Sequence, residues 1–184
     1  AVERARGPLA LGVLNAGVYL PVKGDDLDVR DFKKSIDVNL SGTVNCIVPL
    51  SRWMKESGKG QIAIVSSVAG YAGLPTSAAY GATKAGLINM AESLKFDFDR
   101  MGIRLQVIAP GFVDTPATAK NPFPMPHLVS VEEAAERIAE GLKTSAFEIT
   151  FPKRFTCQLK LLRMLPYRLY FAIVARATGW SKKK

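Results

Sequence analysis

QIAIVSSVAGYAGLPTSAAYGATK, residues 61–84, is the segment from which the architecture follows. It opens on Ile62, Ala63, Ile64 and Val65, a short, largely β-branched run that suits a strand covered on both faces of a parallel sheet. The run ends at Ser66-Ser67, and a stretch of helical period begins near Tyr80 and Lys84. Tyr80 and Lys84 are four apart, so a helix stacks them one turn apart on the same face. An ammonium beside a phenol favours the phenolate and is expected to lower the tyrosine pKa from about 10 toward working pH. The pair then forms a general acid/base that can exchange a proton with an alcohol or carbonyl oxygen. Ser67, at the strand end thirteen residues before Tyr80, carries a hydroxyl that can reach the same pocket.

Outward from this segment the alternation repeats. Residues 10–15 (ALGVLN), 61–66, 103–109 (IRLQVIA) and 147–151 (FEITF) read as strands. Residues 31–54 have apolar positions at Phe32, Ile36, Val44, Ile47 and Val48, with a kink or break expected at Pro49. Residues 78–100 form a second long helix that ends before Gly102. A third, 131–143, starts with Ser130 and Glu133 in capping-box spacing. Strands alternating with helices imply right-handed crossovers and an α/β fold around one mostly parallel sheet. Residues 115–130, with Pro116, Pro122, Pro124 and Pro126, are long for a loop without structure of its own, which points to a lid or mobile segment.

In open α/β sheets ligands bind beyond the carboxyl ends of the strands. Each of the first three strands here ends in a distinctive cluster: Asn15-Ala16-Gly17, then Ser66-Ser67, then Pro110-Gly111-Phe112-Val113-Asp114-Thr115. His127 is the lone histidine and has no partner at metal-ligand or triad spacing, so it reads as a solvated loop residue and no metal site is expected.

The bulk composition narrows the function classes. A chain of 184 residues fits one domain with a sizeable core. Cys46 and Cys157 offer neither a disulfide framework nor zinc spacing, so a reducing, cytoplasmic setting is expected. No secretory signal and no uncharged membrane-spanning run is seen. The net charge is +9, yet nine of the 25 basic residues lie beyond Glu148, where no acidic residue occurs, so the body holds 16 basic against 16 acidic side chains. A neutral body, with Trp53 and Trp180 as singletons, gives no support to nucleic-acid binding.

Taken together these features resemble the short-chain dehydrogenase/reductase family. The resemblance is carried by Asn15-Ala-Gly17, Asn39 within Asp37-Val-Asn-Leu40, Ser66-Ser-Val-Ala-Gly70, Tyr80-Gly-Ala-Thr-Lys84 and Pro110-Gly-Phe-Val-Asp-Thr115, in the family's order and spacing from residue 10 to about 116. It implies a Rossmann-like, doubly wound fold and an oxidoreductase that interconverts an alcohol and a carbonyl with NAD or NADP. By that resemblance Tyr80 would be the acid/base, and Ser67 would hold and polarise the substrate carbonyl. Lys84 would depress the tyrosine pKa and bond the nicotinamide ribose, and Asn39 would support a water that relays protons to Lys84. Asn15, Ala16 and Gly17 would approach the adenosine half of the cofactor, and Pro110, Gly111, Val113 and Thr115 the nicotinamide amide. The resemblance also implies a homodimer or homotetramer, built here on the helices at 31–54 and 78–100.

Two departures from the family stand out. Its members open with a strand, a glycine-rich turn and a helix N-terminus that bind the pyrophosphate, and no such fingerprint precedes Asn15. The chain as written is therefore expected to start just before the family's fourth strand and to bind dinucleotide poorly alone. A non-catalytic interaction subunit is the alternative reading, against which stand the intact Ser67, Tyr80, Lys84 and Asn39. The second departure is the tail: residues 1–152 read as the family domain and 153–184 as a basic amphipathic extension, divided by Pro166 into two short helices. The segment 154–184 either lies on an anionic membrane surface, bringing the site to an apolar or lipid-like substrate, or forms a helix pair over the cleft or a second subunit.

Overall fold

A computed structural model describes residues 7, 9–119, 121 and 124–181. Pro122 of the proline-rich loop and Lys182, Lys183 and Lys184 of the tail lie outside the described residues. Four strands, β1 (Leu11–Leu14), β2 (Gly60–Val65), β3 (Ile103–Pro110) and β4 (Glu148–Phe151), form one parallel sheet in the order β1-β2-β3-β4. Each lies within one residue of its expected range. The helices are α1 (Val29–Ser35), α2 (Gly42–Ser57), α3 (Ala78–Arg100), α4 (Val131–Leu142), α5 (Lys153–Arg163) and α6 (Tyr167–Thr178).

The period-2 alternation of the strands separates two cores. Ile62 and Ile64 of β2 join Ile103, Leu105 and Val107 of β3 on one face, where Ile47 and Met54 of α2 and Leu87, Ala91 and Phe98 of α3 cover them. Ala63 and Ile108 point the other way, into a second core with Ala134 of α4, Ile149 and Phe151. Each of these large aliphatic side chains, fully withdrawn from water, contributes about 1.5–3 kcal/mol. Helices on both faces of a parallel sheet make this the doubly wound, Rossmann-like arrangement expected. Among the described residues β1 pairs only with β2, and its Leu11 and Val13 stay exposed.

Three local expectations need correction. The first long helix breaks not at Pro49, which sits inside α2, but at a π-helical turn, Ile36–Ser41, between α1 and α2. The wider turn is the one that carries Asn39, whose side chain is engaged with backbone outside the helix, as π-bulges at functional positions commonly are. The helix also starts earlier than residue 31, because Asp28 caps it by accepting from the Arg30 N–H at 2.8 Å. Only half of the expected capping box is made at α4: the Ser130 hydroxyl accepts from the Glu133 N–H at 3.1 Å, but the Glu133 carboxylate turns to Arg137.

The tail forms the two helices anticipated on either side of Pro166. The two ends of the proline-rich segment are tied together, since Asp114 N–H donates to the Val129 carbonyl and Val129 N–H to that of Phe112, which sets Val129 beside Val113 just past the end of β3.

Candidate active site

The carboxyl ends of β1, β2 and β3 open into one cleft of about 180 Å³. Asn15, Gly17, Ser67, Tyr80, Lys84, Pro110, Gly111, Val113 and Thr115 all line it. Ala16 does not: its side chain is exposed outside the lining. Larger hollows occur elsewhere, one of about 590 Å³ bordered by Gly60, Gln61, Gly102 and Arg104. That one lies at the amino ends of the strands, away from the clustered polar groups.

Ser67 leaves β2 in extended backbone and caps a single 3-10 turn, Val68–Gly70, its hydroxyl accepting from the Ala69 N–H at 3.1 Å. Gly70 then packs directly on α3. A Cβ there would stand 2.8 Å from both the carbonyl carbon and oxygen of Lys84, so only glycine permits this approach. Ser66 fixes the same point from the other side, donating from its hydroxyl to the Lys84 carbonyl at 2.8 Å. The strand end therefore holds the first turns of α3, and with them Tyr80 and Lys84, in register with Ser67.

Lys84 is buried, and its ammonium donates to the Val65 carbonyl at 2.7 Å. Desolvation pulls its pKa down to about 8. The ammonium sits 5.5 Å from the centroid of the Tyr80 ring, toward the face of the ring. The expected lowering of the Tyr80 pKa by Lys84 does not appear. Burial is the larger effect and holds the phenol above the ordinary tyrosine value; the Ser67 hydroxyl pulls it down and Tyr19 pushes it further up. In this arrangement Tyr80 is a neutral acid at neutral pH.

Asn39 lies behind the cleft, fully buried, with every side-chain group engaged. Its Oδ1 accepts from the Val18 N–H at 2.7 Å, and its Nδ2 donates to the Val18 carbonyl and to Thr83 Oγ1, each at 3.0 Å. This clamp sets the loop after β1. Gly17 in that loop runs so close that a Cβ would lie 3.3 Å from Asn39 Oδ1 and 3.5 Å from Lys84 Nζ. At the far wall Gly111 N–H donates to the Phe151 carbonyl at 2.8 Å, which ties the turn after β3 to the end of β4.

Sequence reasoning missed Tyr19. Its ring meets Tyr80 edge to face at 5.1 Å between centroids, and its hydroxyl is hydrogen-bonded to Thr76 at 3.1 Å. It also missed the apolar side pocket of about 90 Å³ next to Ser67 and Tyr80, with Val68, Leu74, Phe112 and Ala117 in its wall. Val68 and Phe112 lie within the quoted motifs but carried no role there, and no motif marks Tyr19, Leu74 or Ala117. The only available signal was an aromatic residue shortly after a strand end.

Residues 1–123 match the family model described as short chain dehydrogenase. Over 176 residues the chain is 35% identical to an uncharacterized oxidoreductase of Myxococcus xanthus, covering 96% of this chain and 70% of that protein. It is 35% identical over 144 residues to a cis-4-hydroxycyclohexanecarboxylate dehydrogenase of Sinomonas cyclohexanicum, covering 72% of this chain and 58% of that protein. Among solved structures, ElxO with NADP bound superposes with a TM-score of 0.71 at 25% identity, over 81% of this chain and 68% of that one.

Proposed function

This chain belongs to the short-chain dehydrogenase family, and from that premise we propose that it carries the catalytic site of an NAD(P)-dependent oxidoreductase that interconverts an apolar alcohol and its carbonyl. The observation that carries the reading is the convergence of Ser67, Tyr80 and Lys84 on one cleft at the strand ends, with the Asn39 clamp behind them. A binding module has no need of a buried ammonium beside a buried phenol, because each is costly to desolvate.

The cleft fits the nicotinamide-ribose end of a dinucleotide. Gly17 keeps the space before Asn39 and Lys84 clear of a side chain, and the Lys84 ammonium offers a charged donor at its floor. When bound, the dinucleotide supplies or accepts the hydride. In reduction, the substrate oxygen would rest between the Ser67 and Tyr80 hydroxyls. Ser67 donates a hydrogen bond that polarises the carbonyl, and Tyr80 gives up its proton to the oxygen as negative charge develops there. A phenol held neutral by burial is ready for that direction. For oxidation the proton must first leave Tyr80, a step that burial of the phenol disfavours. Lys84 is also the residue to bond the ribose hydroxyls, while Pro110, Gly111, Val113 and Thr115 would meet the amide of the ring. The apolar wall of Val68, Leu74, Phe112 and Ala117 supports an apolar substrate.

Tyr80→Phe tests the assignment because it removes one oxygen and keeps the ring. In the full-length protein, reduction of a ketone panel with NADH or NADPH should fall by about 10²–10⁴, with NAD(P)H binding, read by fluorescence, unchanged within a few-fold. A variant that turns over at near-normal rate overturns the assignment.

A further inference from the structure

We propose that the corner between α5 and α6 is a docking surface for an anionic lipid membrane. The two helices are anchored to the body on one side only. Phe155 and Thr156 of α5 and Tyr170 and Val174 of α6 are buried. Tyr170 Oη donates to the Gly73 carbonyl at 2.5 Å, and Lys160 pairs with Glu148 while resting over the Tyr71 ring. The side away from these anchors is apolar at the corner. Leu161 is 65% exposed, Met164 80%, Tyr167 75% and Phe171 60%, with the rings of Tyr167 and Phe171 stacked at 5.8 Å. An exposed cluster of this kind on an otherwise folded body marks a surface that something covers.

Charge selects what covers it. Arg163 and Arg168 flank the corner and are exposed, and no carboxylate side chain occurs anywhere after Glu148. A second copy seated corner to corner would set these arginines against one another with no acidic partner in either tail. An anionic leaflet offers apolar depth for Met164, Tyr167 and Phe171 and phosphate for the arginines, whose long stems let the charge reach the headgroups. The element lies on the surface and does not cross it. Eleven and twelve residues give α5 and α6 lengths of about 16–18 Å, well short of the roughly 30 Å of hydrocarbon, and no described helix is long and apolar enough to cross a membrane.

The corner also adjoins the cleft. Gly73, held by Tyr170 in the first turn of α6, precedes Leu74 of the apolar side pocket. A membrane under the corner would lie near the route by which an apolar molecule enters.

The full chain should co-sediment with vesicles of phosphatidylcholine and phosphatidylglycerol at low salt, be released at high salt, and stay in solution with phosphatidylcholine alone. Arg163→Gln with Arg168→Gln should weaken binding roughly twenty-five-fold, about fivefold for each charge. Met164→Ser, Tyr167→Ser and Phe171→Ser combined should abolish pelleting. These side chains are largely exposed, so circular dichroism should be unchanged, with only a small loss of thermal stability from the edge contact of Phe171 with Tyr170. Three results overturn the proposal: no pelleting of the full chain with anionic vesicles, equal pelleting of the triple serine variant, or an oligomer that the triple variant dissociates while lipid binding is absent. None of these readouts depends on enzymatic activity.

Discussion

Replacing Lys84 by methionine should abolish turnover and yet make the protein harder to unfold at neutral pH. Lys84 is 3% exposed, and its desolvation lowers its pKa from 10.5 to about 8. The folded state thus holds the Lys84 proton less tightly than the unfolded chain does. Above pH 10.5 the amine is neutral in both states and burial carries no charge penalty. As pH falls from 10.5 to 8 the unfolded chain takes up a proton that the folded protein does not, so stability drops; below 8 both are charged and the loss is complete. At about 1.4 kcal/mol per pH unit, the full loss is about 3 kcal/mol. Methionine escapes it while filling similar volume. Against this, the Val65 carbonyl loses its donor, at a cost of about 1–3 kcal/mol that does not vary with pH. The pH dependence is therefore the clean measure. Urea unfolding followed by tryptophan fluorescence at pH 7 and pH 9.5 should show the Lys84→Met protein gaining about 2 kcal/mol on the wild type as pH is lowered between the two. If the difference between the proteins is the same at both pH values, or larger at pH 9.5, Lys84 is not desolvated as described and its position beneath the cleft must be reconsidered.

Other outcomes follow from the same geometry. Gly70→Ala should destabilise by about 1–3 kcal/mol in urea titrations and lower turnover further than stability accounts for, because a Cβ 2.8 Å from the Lys84 carbonyl pushes α3 away from Ser67. Tyr19→Phe removes the ionisable hydroxyl whose charge opposes a phenolate at Tyr80, and Tyr19→Ala also removes the ring packed edge-on against it, so both should move the alkaline limb of the pH profile to lower pH, the alanine variant further; profiles identical to wild type for both would refute this. Phe96 of α3 is 75% exposed and Val48 and Trp53 of α2 remain accessible, so sedimentation at micromolar concentration should show a dimer or larger species that Phe96→Asp dissociates.

The fold was legible because its signals are repeated. Four short, mostly apolar runs, each followed by a helix-length stretch, over-determine a parallel sheet, and an error of one residue at any boundary changes nothing. The π-helical turn at Ile36–Ser41 was not legible, because helical periodicity averages over one inserted residue while Pro49 looks like the obvious breaker. What decides the matter is tertiary: Asn39 must face the backbone of Val18, twenty-one residues away, and the helix widens there to let it. Likewise the need for glycine at position 70 comes from the carbonyl of Lys84 on another element.

At the site, spacing and environment gave different answers. Four-residue spacing on a helix correctly brings Tyr80 and Lys84 together, but proximity fixes only the sign of their mutual interaction. The net pKa of each depends on how much water both have lost, and that is a property of β2, the Gly70 contact and Tyr19, none of which is local to α3. With Lys84 bonded to the Val65 carbonyl and lying toward the ring face, its charge is poorly placed to stabilise a phenolate, and burial prevails for both groups. Both shifts disfavour charge: an acid pushed up and a cation pulled down. A site in that state has an unfavourable electrostatic balance that an anionic or hydroxyl-rich ligand beside Lys84 would relieve. Groups perturbed in this way cluster at functional sites, and the stability that Lys84→Met should recover measures how much the fold gives up to hold an ammonium there.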